Sequence, residues 1–261
     1  MSMEVTQENQ TAVVRLGVVD QVEATFSRHD DDTKRWLRKI AALARGRRLR
    51  APLVVGLVAL RGLEPNGGSR RHHRVRRRPR PTSTVRCIAL CVGGAHALVY
   101  QPGAPWEPLT GATGRIQFDR NKMRELSAFL GDARVTVACL GADDAAAKLA
   151  ASWGLHVAGL TDLRRLVERA YGREVEASVH VDGRVEKRRV SVRGLDVEGM
   201  AALVLGQEMQ PEKTPAKVAQ ADWGSPHVYD SRDELMYAVR DAYLCFEIAA
   251  RCLQKLGAAV A

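Results

Sequence analysis

The stretch that most constrains the fold lies near the C-terminus, at 233–253. Leu235, Ala238, Ala242, Cys245, Ala249 and Cys252 recur at three- and four-residue steps, the period of one helical face. Ser231 ahead of Asp233 and Glu234 supplies a helix start. Such a helix needs a surface to cover. The run Pro52-Leu-Val-Val-Gly-Leu-Val-Ala-Leu60 offers one, since it is continuously apolar, as in a strand buried on both faces. On the final helix Tyr237 and Asp241 are four apart, which stacks a phenol over a carboxylate. Taken alone, that pair reads as a core-edge tyrosine and a solvated aspartate.

The chain has 261 residues, enough for one large domain or two small ones with a substantial core. With 46% hydrophobic and 27% charged residues it has the composition of a globular protein rather than a disordered one. A net charge of +10 favours polyanionic partners. Five cysteines without a CxxC pair argue for reduced thiols, and Cys87 and Cys91 share one face of a strand rather than a zinc site. There is no signal-peptide pattern, and no apolar run reaches the roughly 18 residues of a membrane span. The expectation is a soluble protein of the nucleus, the cytoplasm or both, without a membrane partner.

A polar, flexible N-terminus is expected at 1–11, then strands at 12–17 and 18–27. Asp30-Asp31-Asp32 suits the positive end of a helix whose apolar stripe is Trp36, Leu37, Ile40, Leu43 and Ala44. Strands follow the apolar run at 85–92 and 96–101, separated by Gly93-Gly94. Beyond them come a helix at 121–130, a strand at 134–140, and helices at 143–153 and 162–171. Segments 174–181 and 184–192 alternate around Asp182-Gly183, a two-residue hairpin signal. A helix at 197–207 and a loop at 209–230 lead to the final helix. Early strands followed by strand–helix alternation predict one α/β domain with a mixed sheet over 12–255. It carries a basic loop at 61–83 and an extra hairpin at 174–193, with a short tail at 256–261.

The basic loop is the most unusual segment. Arg70, Arg71, Arg74, Arg76, Arg77, Arg78 and Arg80 fall in a stretch without an acid and with little that could enter a core. Arginines at this density neutralise phosphates and release counterions, giving tight, sequence-indifferent binding. A nuclear-localisation address, or a loop that is merely solvated, fits the same composition. Arg184, Lys187, Arg188, Arg189 and Arg193 add a smaller basic patch. Few aromatics interleave with these charges, so base stacking has little support.

The string Tyr237-Ala-x-x-Asp241-Ala-Tyr243, with Asp222-Trp223 upstream, resembles the third motif of the DEDDy 3′-5′ exonucleases, in their Werner-syndrome-exonuclease-like branch. Val55-Gly-Leu-Val-Ala-Leu60 lies where that family has Val-Gly-Leu-Asp-x-Glu. The segments 85–92, 126–130, 135–149, 161–164 and 199–206 resemble the family's connecting strands and helices in order and spacing. The resemblance covers about 13–253. It implies an RNase H-like fold, a mixed β-sheet flanked by α-helices, with acids gathered over one end.

The resemblance also implies two-metal phosphodiester hydrolysis, with Mg²⁺ or Mn²⁺ held by four carboxylates. Here the first-motif pair falls on Val58 and Leu60, and the second-motif Asp on Ala145. Asp241 remains as a metal ligand and Tyr237 as the residue that positions water. Asp143 and Asp144, just ahead of Ala145, could return a carboxylate only by a slip of about 100° per residue on a helix. The expected function is therefore an exonuclease-like domain that binds DNA or RNA with little or no hydrolysis, and with no cofactor if inactive. The alternatives are a weak metal-dependent 3′-5′ exonuclease and a non-catalytic module for a protein partner.

Overall fold

The final helix, α7 (Arg232–Lys255), lies across a sheet and is buried along most of its length and around most of its circumference. A computed structural model describes residues 2–6, 11–16, 20–46, 52–63, 81–102, 123–181, 184–206, 213–225 and 231–258. The strands are β1 (Ser2–Thr6), β2 (Thr11–Arg15), β3 (Gln21–Ser27), β4 (Leu53–Leu63), β5 (Pro81–Val92), β6 (His96–Tyr100), β7 (Val135–Cys139) and β8 (Leu160–Asp162). They form one sheet in the order β1-β2-β3-β6-β5-β4-β7-β8. β3 is parallel to β6, and β4, β7 and β8 run parallel; the other pairs are antiparallel. The mixed sheet expected from the sequence is present.

Alternation along β4 divides the core into two layers. Val54 faces α7, with α4 (Leu163–Tyr171) and α5 (Val197–Leu205), while Val55 and Leu57 face the opposite layer. That second layer holds Trp36, Leu37 and Ile40 of α1 (Asp30–Gly46), Leu126 and Leu130 of α2 (Arg124–Leu130), and Leu149 and Trp153 of α3 (Ala142–Trp153). On α1 the expected stripe is one turn shorter, because Leu43 is 39% exposed. The short α6 (Ala216–Ala219) lies within the segment 209–230, which the sequence reads as mostly loop.

One expectation is corrected at the sheet's margins, and one element is added there. Segment 1–11 was expected to be a flexible tail, but Ser2–Thr6 pairs with β2 as an outer strand, which occupies β2's otherwise open hydrogen-bonding edge. β8 has three residues, too short for a periodic signal, yet it pairs with β7 and forms the other margin. The hairpin β9 (Glu174–Val181) and β10 (Arg184–Ser191) forms a separate two-stranded sheet. The Arg70–Arg80 segment and the Asp182-Gly183 turn lie outside the described residues.

Candidate functional site

The parallel strands β4 and β7 end at the same side of the sheet, where ligands bind in open α/β folds. Gly141, with φ of 71°, turns the chain from β7 into α3, and the Asp162 carboxylate locks that turn by accepting the Ala142 N–H (2.9 Å). Its other oxygen accepts the Arg164 N–H (2.8 Å) at the start of α4, so one side chain fixes both helix starts. Between these ends and α7 lies a pocket of about 200 Å³. Its wall includes Val58 and Arg61 from β4, Asp144, Ala145 and Lys148 from α3, and Asp241 from α7.

The sequence-derived residues therefore converge in part. Val58, Ala145 and Asp241 share the pocket, as does Asp144, the nearer of the two carboxylates considered for a slip. Leu60 lies on the same face of β4 as Val58 and packs against the α7 layer. Asp143 turns outward, where Arg165 Nη2 bonds it at 2.8 Å. Tyr237 is buried, with the Arg240 guanidinium 4.4 Å from its ring centroid.

Both carboxylates at the pocket are already bonded to cations. Asp144 Oδ2 accepts from Arg61 Nη2 (2.7 Å) and Lys148 Nζ (2.5 Å), which hold its carboxyl below the usual range, Lys148 foremost. Asp241 Oδ1 accepts from Arg240 Nε (2.8 Å) and Nη2 (2.5 Å). Arg240 is 2% exposed and also donates to Glu198 Oε1 (2.8 Å) and Thr214 Oγ1 (2.6 Å), which ties α7 to α5. The sequence reading missed Arg61, Lys148 and Arg240 as members of this site. Only Lys148 had a signal, its spacing four residues after Asp144 on one helix face.

The donor set does not fit a pair of divalent metals. Magnesium and manganese take hard oxygen ligands. Val58, Leu60 and Ala145 offer none from their side chains. Cys139 and Cys245 line the pocket, but a soft thiolate does not suit these hard ions, and burial pushes the Cys139 thiol up to about 12 and raises Cys245 as well. Among the described residues no cluster of three His, Cys, Asp or Glu side chains is arranged to hold a metal ion.

Burial pushes the Asp241 carboxyl up to about 6; Arg240 opposes this and Glu198 adds to it. The folded chain thus holds this proton more tightly than the unfolded chain, whose carboxylate titrates near ~3.9. The associated stability is full below about pH 4 and is lost as pH rises through about 6. Between these limits the wild type should lose roughly 2 kcal/mol relative to Asp241→Asn. Urea unfolding of both proteins at pH 4, 5.5 and 7.5 checks this; parallel stability curves would contradict it.

No protein-family model matches the chain, and no characterised protein matches it by sequence. Solved structures do match it in shape. Escherichia coli RNase D, an exoribonuclease involved in structured RNA processing, aligns over 90% of this chain and 45% of its own, with a TM-score of 0.52 and 14% identity. The catalytic core of RRP6 from Trypanosoma brucei aligns over 94% of this chain and 50% of its own, with a TM-score of 0.55 and 11% identity. Trypanosoma brucei RNase D aligns over 88% and 64%, with a TM-score of 0.50 and 12% identity. The fold is that of the RNase H-like 3′-5′ exonucleases. The chain spans about half to two thirds of the length of these structures. On this exonuclease fold, the pocket at the ends of β4 and β7 carries Val58, Ala145 and two ion-paired aspartates.

Proposed function

We propose that this chain is a nucleic-acid-binding protein built on an exonuclease fold that has given up metal-dependent hydrolysis. The observation that carries this reading is the pairing of Asp144 with Arg61 and Lys148, and of Asp241 with Arg240, beside the apolar Val58 and Ala145. A divalent metal there would be repelled by Arg61, Lys148 and Arg240, and Val58 and Ala145 supply no oxygen ligand to offset that repulsion. Two divalent ions there would face two carboxylates and at least three fixed positive charges.

Affinity for nucleic acid is supported by the net charge of +10 and by the seven arginines at 70–80. Escherichia coli RNase D is by its description an exoribonuclease involved in structured RNA processing, which makes RNA a natural first probe. No helix among the described residues is long and apolar enough to cross a membrane.

Binding to single-stranded RNA and DNA should occur in EDTA and weaken with salt, with a log–log slope near −0.7 per phosphate contacted. Changing Arg74, Arg76, Arg77 and Arg78 together to Ala should flatten that slope for every sequence. A protein that binds neither polymer at 50 mM salt, or binds only when Mg²⁺ is added, would contradict this function.

A further inference from the structure

Two cations of the pocket converge on a single oxygen. Arg61 Nη2 lies 2.7 Å and Lys148 Nζ 2.5 Å from the same Asp144 Oδ2, so the wall holds an oxyanion oxygen between a guanidinium and an ammonium. Asp144 is also the most exposed of the three, its side chain 55% accessible against 40% for Arg61 and 19% for Lys148. A carboxylate this close to water is readily rehydrated when it turns away, and exposed ion pairs hold their partners weakly. Val58, Leu140 and Ala145 share the lining with these cations. The volume of about 200 Å³ is below the ~300–1,000 Å³ of sites for larger small molecules, so it has room for a small ligand only.

The geometry points to an anion site in which a phosphate monoester replaces the Asp144 carboxylate between Arg61 and Lys148, with no metal taking part. The monoester is either the terminal phosphate of a nucleic-acid strand or a free nucleoside monophosphate. The strand-end form rests on the nucleic-acid-binding function proposed above. A monoester brings up to about two negative charges and three acceptor oxygens, more than a carboxylate offers. The arginine fork and the lysine point charge each match it. Asp241 is the other carboxylate at the pocket, and its Oδ1 is occupied by two nitrogens of Arg240. Asp144 therefore acts as a resident counter-ion that competes with the ligand. The consequence is an inverted sign: removing a carboxylate from a metal-dependent site weakens binding, whereas removing Asp144 strengthens it.

Fluorescence anisotropy in EDTA tests this with three probes: a single-stranded oligonucleotide bearing a terminal phosphate, the same strand with hydroxyl ends, and a labelled nucleoside monophosphate. Asp144→Ala should bind the phosphate-bearing probes about tenfold more tightly, and Arg61→Ala or Lys148→Ala about tenfold more weakly. Lys148→Arg, which keeps the charge, should retain most of the affinity and so separates loss of binding from loss of fold. Unchanged affinity for terminal phosphate in Asp144→Ala and Arg61→Ala overturns the anion site. If hydroxyl-ended strands still bind in that case, the nucleic-acid-binding function stands without it. Binding of the monophosphate alone, strengthened by Asp144→Ala, supports the anion site and overturns the nucleic-acid-binding function. Failure of all three probes to bind overturns both.

Discussion

Gly56→Ala should destabilise the protein by about 4 kcal/mol or more, among the largest effects a single methyl group can have. β4 and α7 meet at this residue. A Cβ added there would sit 2.0 Å from the Ala242 carbonyl oxygen, 2.5 Å from the Phe246 nitrogen and 3.1 Å from the Phe246 Cα. All three are backbone atoms of α7, so no rotamer change relieves the clash and the helix must lift off the sheet. Lifting it exposes Ala249, Ile248 and Cys252, which are now fully buried, along with the facing strands. For a chain of this size the loss should lower the melting temperature by roughly 10 °C or more. Gly194→Ala is the control, because its added Cβ would meet nothing within 4 Å. Thermal unfolding of the two variants side by side checks the helix–sheet contact, and similar melting temperatures would show that α7 packs elsewhere.

Arg240→Met should cost about 3–5 kcal/mol, the range seen when one partner is removed from a buried ion pair. The guanidinium is 2% exposed and bonds Glu198, Asp241 and Thr214 at 2.5 to 2.8 Å. Without it the Glu198 and Asp241 carboxylates, 15% and 23% exposed, are left in a confined space with no cation between them. The loss is therefore mainly one of uncompensated charge, not of packing. Adding Glu198→Gln and Asp241→Asn to Arg240→Met should recover more than half of it, a coupling expected of residues in one network. Chemical denaturation of the single and triple variants measures this. A triple variant as unstable as the single one would assign the effect to lost side-chain volume instead.

Most elements were legible because their periods are strong. The two-faced burial of β4 follows from an unbroken apolar run, and Gly93-Gly94, with φ of 61° and 69°, makes the turn their sequence suggests. α7 was legible as a helix but not as a buried one. Arg240 and Asp241 interrupt its apolar pattern, so Met236, Val239, Tyr243 and Leu244 read as flanks of a stripe, although all four are buried. A buried arginine looks like a solvated one until its partners are placed, and those partners are 42 and 26 residues away.

The site divides in the same way. Val58, Ala145 and Asp241 could be placed by motif spacing, and the structure brings them to one pocket. Arg61 could not, since its bond to Asp144 joins residues 83 apart and depends on how β4 and α3 end side by side. The two aspartates ahead of Ala145 differ in a way their adjacency in sequence does not show. Asp144 reaches the pocket at its rim, where two cations bond it, while Asp143 faces Arg165.

The central claim is an exonuclease fold whose pocket has exchanged metal ligands for apolar and ion-paired side chains. The most direct test is a hydrolysis assay with 5′-labelled single-stranded RNA and DNA at 5 mM Mg²⁺ or Mn²⁺, beside Asp241→Asn and Asp144→Asn. The expected result is no shortening of either strand beyond a protein-free blank, under conditions where the same protein binds the strands. Stepwise 3′ shortening that requires the metal and disappears in Asp241→Asn would contradict the account.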